Sequence, residues 1–182
     1  MQESKKFTVK QLVFSAAALA LACVTSFLKV FELPMGGSVT LFSMFFVTLI
    51  GYWYGPAKGI IAAIVYGVLQ FAFGPYFVTV PQVICDYVLA FGALGLSGFF
   101  RKMKYGLQIG YLVAIFGRFV FAWLSGVIFF AAYAEGSGYA APIYSLLYNG
   151  SYIGLEGAVT LILLFLPPIQ KALKYVRSMA VK

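Results

Sequence analysis

The chain alternates long apolar runs with short polar breaks, and run length decides what solvent each run can meet. Six runs stand out, at about 11–31, 39–54, 59–73, 81–100, 107–133 and 142–166. A helix rises ~1.5 Å per residue, so about 20 residues cross the ~30 Å hydrocarbon core of a bilayer. The first run and the last three meet that length as they stand. The two between them are short, which predicts ends that are irregular or covered by protein. Local punctuation agrees with these limits. Gly55-Pro56-Ala57-Lys58 reads as a turn, Pro81 suits a first helical turn, and Pro167-Pro168 marks the end of the last run or a kink in it. The pattern predicts an all-α membrane protein of six transmembrane helices, one integral-membrane domain over residues 1–182.

Basic residues orient the spans. Lys5, Lys6 and Lys10 precede the first, Lys58 separates the second from the third, and Arg101, Lys102 and Lys104 separate the fourth from the fifth. Lys171, Lys174, Arg177 and Lys182 follow the sixth. With six spans all of these fall on one side, which places both termini in the cytoplasm by the positive-inside rule. Lys29 and Arg118 are the exceptions. Lys5 to Lys10 ahead of an apolar run resembles a signal peptide, but the run is too long for one and reads as an uncleaved first helix. The outer side is then made of 32–38, 74–80 and 134–141, segments rich in Gly, Pro and aromatics that suit loops folded down as a lid.

Composition sharpens this picture. The 182 residues are 63% hydrophobic and 10% charged, which calls for a bilayer rather than water as solvent. The net charge of +8 sits in the short clusters just named, a membrane-anchoring pattern, so nucleic acid is not expected as a partner. Histidine is absent, and Cys23 and Cys85 lie inside apolar runs. That removes Cys/His metal sites, histidine bases and the usual catalytic triads, so neither an enzyme nor a metal or other cofactor is expected. No GxxxxGK[ST] occurs either, so a P-loop nucleotide site is not expected in this chain.

Charges inside the apolar runs are costly and mark candidate sites. Helix rise puts Asp86 ~7 Å below the outer boundary and Asn149 ~10 Å below it, with Glu156 and Arg118 both at ~21–22 Å. The matched depth predicts that Arg118 and Glu156 form a structural ion pair. Asp86 then has no protein cation at its level, and either snorkels outward or faces a cavity that admits a cationic ligand. Tyr76, Tyr87, Phe130, Tyr133, Tyr139, Tyr144 and Tyr148 gather at the outer level, where an interfacial aromatic belt would also place them. Ser145, Asn149, Tyr152 and Glu156 form one polar stripe on the sixth helix, which should look inward. In the first span, Ala16 and Ala20, like Ala18 and Ala22, are four apart, a spacing that permits close helix packing inside the chain or against another subunit.

Four segments carry a resemblance: PMGGSVTL at 34–41, DYVLAFGALGLSGFF at 86–100, RFVFAWLSGVIFFAAYA at 118–134 and YSLLYNGSYIGLE at 144–156. Together they resemble the thiamin-specific substrate-binding (S) components of energy-coupling factor transporters, the ThiT family. The resemblance implies a six-helix, multi-pass protein of the bacterial cell membrane that captures thiamin outside the cell. Its partners would be a transmembrane coupling subunit and two cytoplasmic ATPase subunits. Carried over by position, it implies substrate contacts from Asp86, Tyr87, Tyr76, Tyr144, Asn149, Tyr66 and Phe130, and docking of the coupling subunit on Ala16 and Ala20. Asp86 stands where the family has glutamate, Ala122 where a histidine is expected, and Gly37 near a loop tryptophan of some members. A thiamin precursor or another small vitamin, or a stand-alone proton-coupled vitamin transporter, remain the alternative readings.

Overall fold

The computed structural model describes residues 6–181. Among them, five helices are long and apolar enough to cross a membrane: α1 (Val9–Phe27), α3 (Pro56–Phe73), α4 (Val80–Phe100), α5 (Gly106–Phe129) and α6 (Ala141–Leu163). A shorter apolar helix, α2 (Ser43–Tyr54), packs among them. Two elements stand outside the apolar pattern: an antiparallel hairpin, β1 (Lys29–Glu32) with β2 (Ser38–Thr40), and a C-terminal helix, α7 (Pro167–Val181).

The hairpin corrects the limits expected for the first two spans. Helix α1 begins on a Thr8–Gln11 capping box and ends at Phe27 rather than Phe31. Lys29 and Glu32 then pair at 2.7 Å on the strand, which accounts for a lysine away from the basic end of the molecule. The register pairs Lys29 with Thr40, Phe31 with Val39 and Glu32 with Ser38. Gly36, at φ +93°, supplies a left-handed residue at the tip that a side chain would resist. Helix α2 therefore starts at Ser43, not Val39. The fifth helix also stops earlier than expected, at Phe129, and a 3-10 turn at Ala131–Ala134 follows.

The packing is the reverse of a water-soluble protein. Leu112, Phe116 and Ile128 of α5 are exposed on the outer surface, whereas Thr48, Gln82, Ser97 and Asn149 are buried. Outward apolar faces meet lipid, and inward polar groups such as Gln82, Ser97 and Asn149 find hydrogen-bond partners inside the bundle. Close backbone contact holds the centre. A Cβ on Gly95 would lie 2.2 Å from the Ile60 nitrogen, so α3 and α4 touch where only glycine fits. Ser97 hands its hydroxyl proton to the Thr48 carbonyl at 2.7 Å, tying α4 to α2.

Helix α4 is one helix by path but not by winding. It passes from α to π at Ile84–Leu89, back to α, and then to 3-10 at Ala93–Phe100. A π turn widens the helix and is frequent at functional sites. Here it carries both Asp86 and Tyr87.

Candidate functional site

A cavity of about 550 Å³ opens at the hairpin end of the molecule. All seven residues expected to contact substrate line it: Asp86, Tyr87, Tyr76, Tyr144, Asn149, Tyr66 and Phe130. They come from α3, α4, α6, the 74–79 loop and the end of α5, so the site is a product of the whole bundle.

The floor and walls are aromatic. Tyr66 is buried, gives its hydroxyl proton to the Ala22 carbonyl at 3.3 Å, and meets Phe91 edge-on at 5.3 Å. Tyr87 stacks on Phe91 at 6.4 Å. At the mouth, Tyr76 and Tyr133 join hydroxyls at 2.6 Å while Phe130 stacks on Tyr133. That hydrogen bond pushes the Tyr76 phenol up to about 12, so this hydroxyl stays protonated at neutral pH. On the far side Tyr144, Tyr148 and Tyr152 succeed one another along α6, the first two stacked and the last edge-on.

Asp86 is held rather than loose. The Gln82 amide, fully buried one helical turn earlier, donates to its Oδ2 at 2.6 Å. The same amide donates to the Tyr76 carbonyl, and its oxygen accepts from the Val78 N–H. Gln82 thus locks the carboxylate and the mouth loop together. It escaped the sequence reading, although a spacing of four from Asp86 places it on the same helix face.

Two electrostatic expectations need correction. Arg118 and Glu156 are not an ion pair; among the described residues the ion pair is Lys29–Glu32. Glu156 instead accepts from Thr40 N–H (3.1 Å), Thr40 Oγ1 (2.8 Å), Ser43 Oγ (3.5 Å) and Met44 N–H (3.2 Å). Arg118 lays its guanidinium on the Phe91 ring at 4.3 Å, lines the same cavity as Asp86 and lies within electrostatic reach of it. Depth counted from Tyr133 missed this: α5 ends at Phe129, nearer to Arg118, and position along a helix axis takes no account of the reach of a long arginine side chain. Asp86 therefore does have a cation in its cavity.

The hairpin covers the site. The Tyr148 hydroxyl donates to the Pro34 carbonyl at 2.5 Å and accepts from the Gly37 N–H at 2.8 Å. A Cβ on Gly37 would come within 2.7 Å of that hydroxyl, so the phenol fills the space a larger residue would need. Asn149 has its amide turned to the Ala122 and Ser145 carbonyls, while its oxygen accepts from Tyr152 at 2.9 Å. In this state it positions Tyr152.

Residues 12–176 match the profile of a family described as thiamine transporter protein (Thia_YuaJ). The chain belongs to the thiamine transporter family. A curated relative, thiamine transporter ThiT of Bacillus subtilis (strain 168), is 31% identical over 91% of this chain and 94% of its own length. The solved structure of ThiT from Listeria monocytogenes superposes with a TM-score of 0.74, at 23% identity, over 93% of this chain and 96% of that one. The family membership and the apolar helices make this a multi-pass membrane transport protein. Within that family frame, the aromatic cavity with the Asp86 carboxylate held by Gln82 is the feature of the fold suited to hold a small, flat ligand.

Proposed function

We propose that the chain is the thiamin-capturing S component of an energy-coupling factor importer, binding its vitamin with high affinity in the cavity under the hairpin. The observation that carries this reading is the Asp86 carboxylate, fixed by Gln82 inside walls of tyrosine and phenylalanine. Thiamin joins a permanently cationic thiazolium to an aminopyrimidine that donates hydrogen bonds. A carboxylate serves either ring, and aromatic faces favour the cation. Tyr87, Tyr76, Tyr144, Tyr66 and Phe130 would enclose the rings, and Asn149 would hold Tyr152 against them.

Energy would come from a transmembrane coupling subunit with two cytoplasmic ATPases. Support for such a docking face is the exposure of Ala16 and Ala20 on the outside of α1, while Ala18 and Ala22 are buried at 3% and 0%.

Asp86→Asn keeps the shape and removes the charge. Losing a charge-assisted hydrogen bond of about 1.5–3 kcal/mol raises the dissociation constant roughly 10- to 150-fold. Arg118, left uncompensated in the same cavity, acts in the same direction against a cation. Calorimetry with thiamin, its pyrimidine and thiazole halves, and neutral pyridoxine checks this. Equal thiamin binding by wild type and variant would refute the charge argument, and tighter binding of pyridoxine would refute the substrate.

A further inference from the structure

A second cavity, of about 270 Å³, lies at the opposite end of the molecule from the hairpin. It opens where the start of α5, the end of α6 and helix α7 meet. Lys104, Lys174 and Arg177 converge on it, two of them from α7 and one from the α4–α5 loop. Arg177 is fixed in place: its guanidinium donates to the Tyr52 hydroxyl at 2.7 Å and the Arg101 carbonyl at 3.0 Å, and lies 4.2 Å above the Tyr52 ring. Gln108 and Gln170 both give their amide protons to the Leu164 carbonyl, at 3.1 and 3.2 Å, bridging the end of α6 to its neighbours on either side.

These cations have no counter-charge in the lining. The chain's acidic residues are Glu3, Glu32, Asp86, Glu135 and Glu156, and no carboxylate side chain occurs in 87–134 or 157–182. Among the described residues none of the side chains around the cavity is acidic. Three like charges held around one concavity repel one another unless an anion sits among them.

We propose that this cavity binds a phosphate-bearing anion, with the headgroup of an acidic phospholipid as the source its surroundings favour. Leu107, Leu164 and Leu173 share the lining with the cations, which gives an acyl chain an apolar path beside the phosphate. The positive-inside rule sets this end against the cytoplasmic leaflet, where anionic lipids collect. Lys104 and Lys174 are exposed and supply point charges, while the stacked Arg177 presents a planar fork of donors. The reading concerns a site remote from the vitamin cavity and does not depend on the ligand assigned there.

The test uses the full chain reconstituted in nanodiscs of equal phosphatidylglycerol and phosphatidylcholine, extracted into detergent and weighed by native mass spectrometry with its retained lipids. Wild type should keep phosphatidylglycerol in preference to phosphatidylcholine. Lys104→Gln combined with Lys174→Gln, which leaves the Arg177–Tyr52 stack intact, should lower that retention roughly 10- to 30-fold, from the loss of two near-surface lysines. The melting temperature, measured on the same preparations, should not change and reports that the variant is folded. A second arm adds inorganic phosphate. Displacement of lipid by millimolar phosphate identifies the free anion as a competing occupant of the same site, and no displacement assigns the site to the lipid. Equal retention of both lipids by wild type, or equal retention of phosphatidylglycerol by wild type and variant with no effect of phosphate, would overturn the proposal.

Discussion

At the scale of single residues, Glu156 shows how one carboxylate can serve as a cap from a distance. Helix α2 opens on Phe42, which sits at φ +66° and offers no side-chain cap, so the first N–H groups of α2 lack a local acceptor. Glu156, on α6 and 4% exposed, accepts from the Met44 N–H and from both donors of Thr40. A negative charge at a helix start is also favoured by the helix dipole. Glu156→Gln keeps one acceptor and turns the other oxygen into a donor facing donors. Each lost charge-assisted hydrogen bond contributes about 1.5–3 kcal/mol, so we expect a clear fall in thermal stability. Thiamin affinity should change less. Thermal unfolding of detergent-solubilised protein with and without thiamin separates the two effects; a variant that keeps its melting temperature and loses binding would place Glu156 among the substrate contacts.

At the scale of elements, the hairpin is fastened to α6 at two points, Thr40 on Glu156 and the 34–37 tip on Tyr148. The second is the lighter fastening, because one phenol carries both hydrogen bonds. Tyr148→Phe removes the hydroxyl, keeps the ring stacked on Tyr144, and frees the tip. Two ordinary hydrogen bonds contribute roughly 1–2 kcal/mol together, so thiamin should leave about 5- to 30-fold faster while the melting temperature barely moves. Release of radiolabelled thiamin into excess unlabelled vitamin measures this. An unchanged release rate would mean that the tip does not gate the cavity.

At the scale of the whole molecule, the exposed face of α1 is available to a partner. Ala16 and Ala20 leave a shallow strip that another helix can approach closely. Replacing both with Trp fills the strip without touching the buried Ala18 and Ala22. If the chain works as the proposed S component, co-purification with a coupling subunit and its ATPases, and uptake by cells, should be abolished while thiamin binding by the isolated chain is retained. Loss of binding together with assembly would assign the strip to internal packing.

Composition and run length alone determined that this is a helical membrane protein with its cations gathered at one end, because a bilayer leaves a chain few ways to satisfy its backbone. The grouping of tyrosines around Asp86 was legible too, since a carboxylate inside an apolar run is costly unless polar groups or a ligand meet it there. Tertiary structure decided the rest. Lys29–Thr40 carried no strand signal strong enough to stand against an adjoining apolar run, and its hairpin exists because Tyr148 and Glu156 receive it. Equal depth suggested that Arg118 and Glu156 would meet, yet depth fixes only one coordinate. Rotation about each helix axis, set by side-chain packing and by the π turn of α4, sent Arg118 to Phe91 and Glu156 to the start of α2.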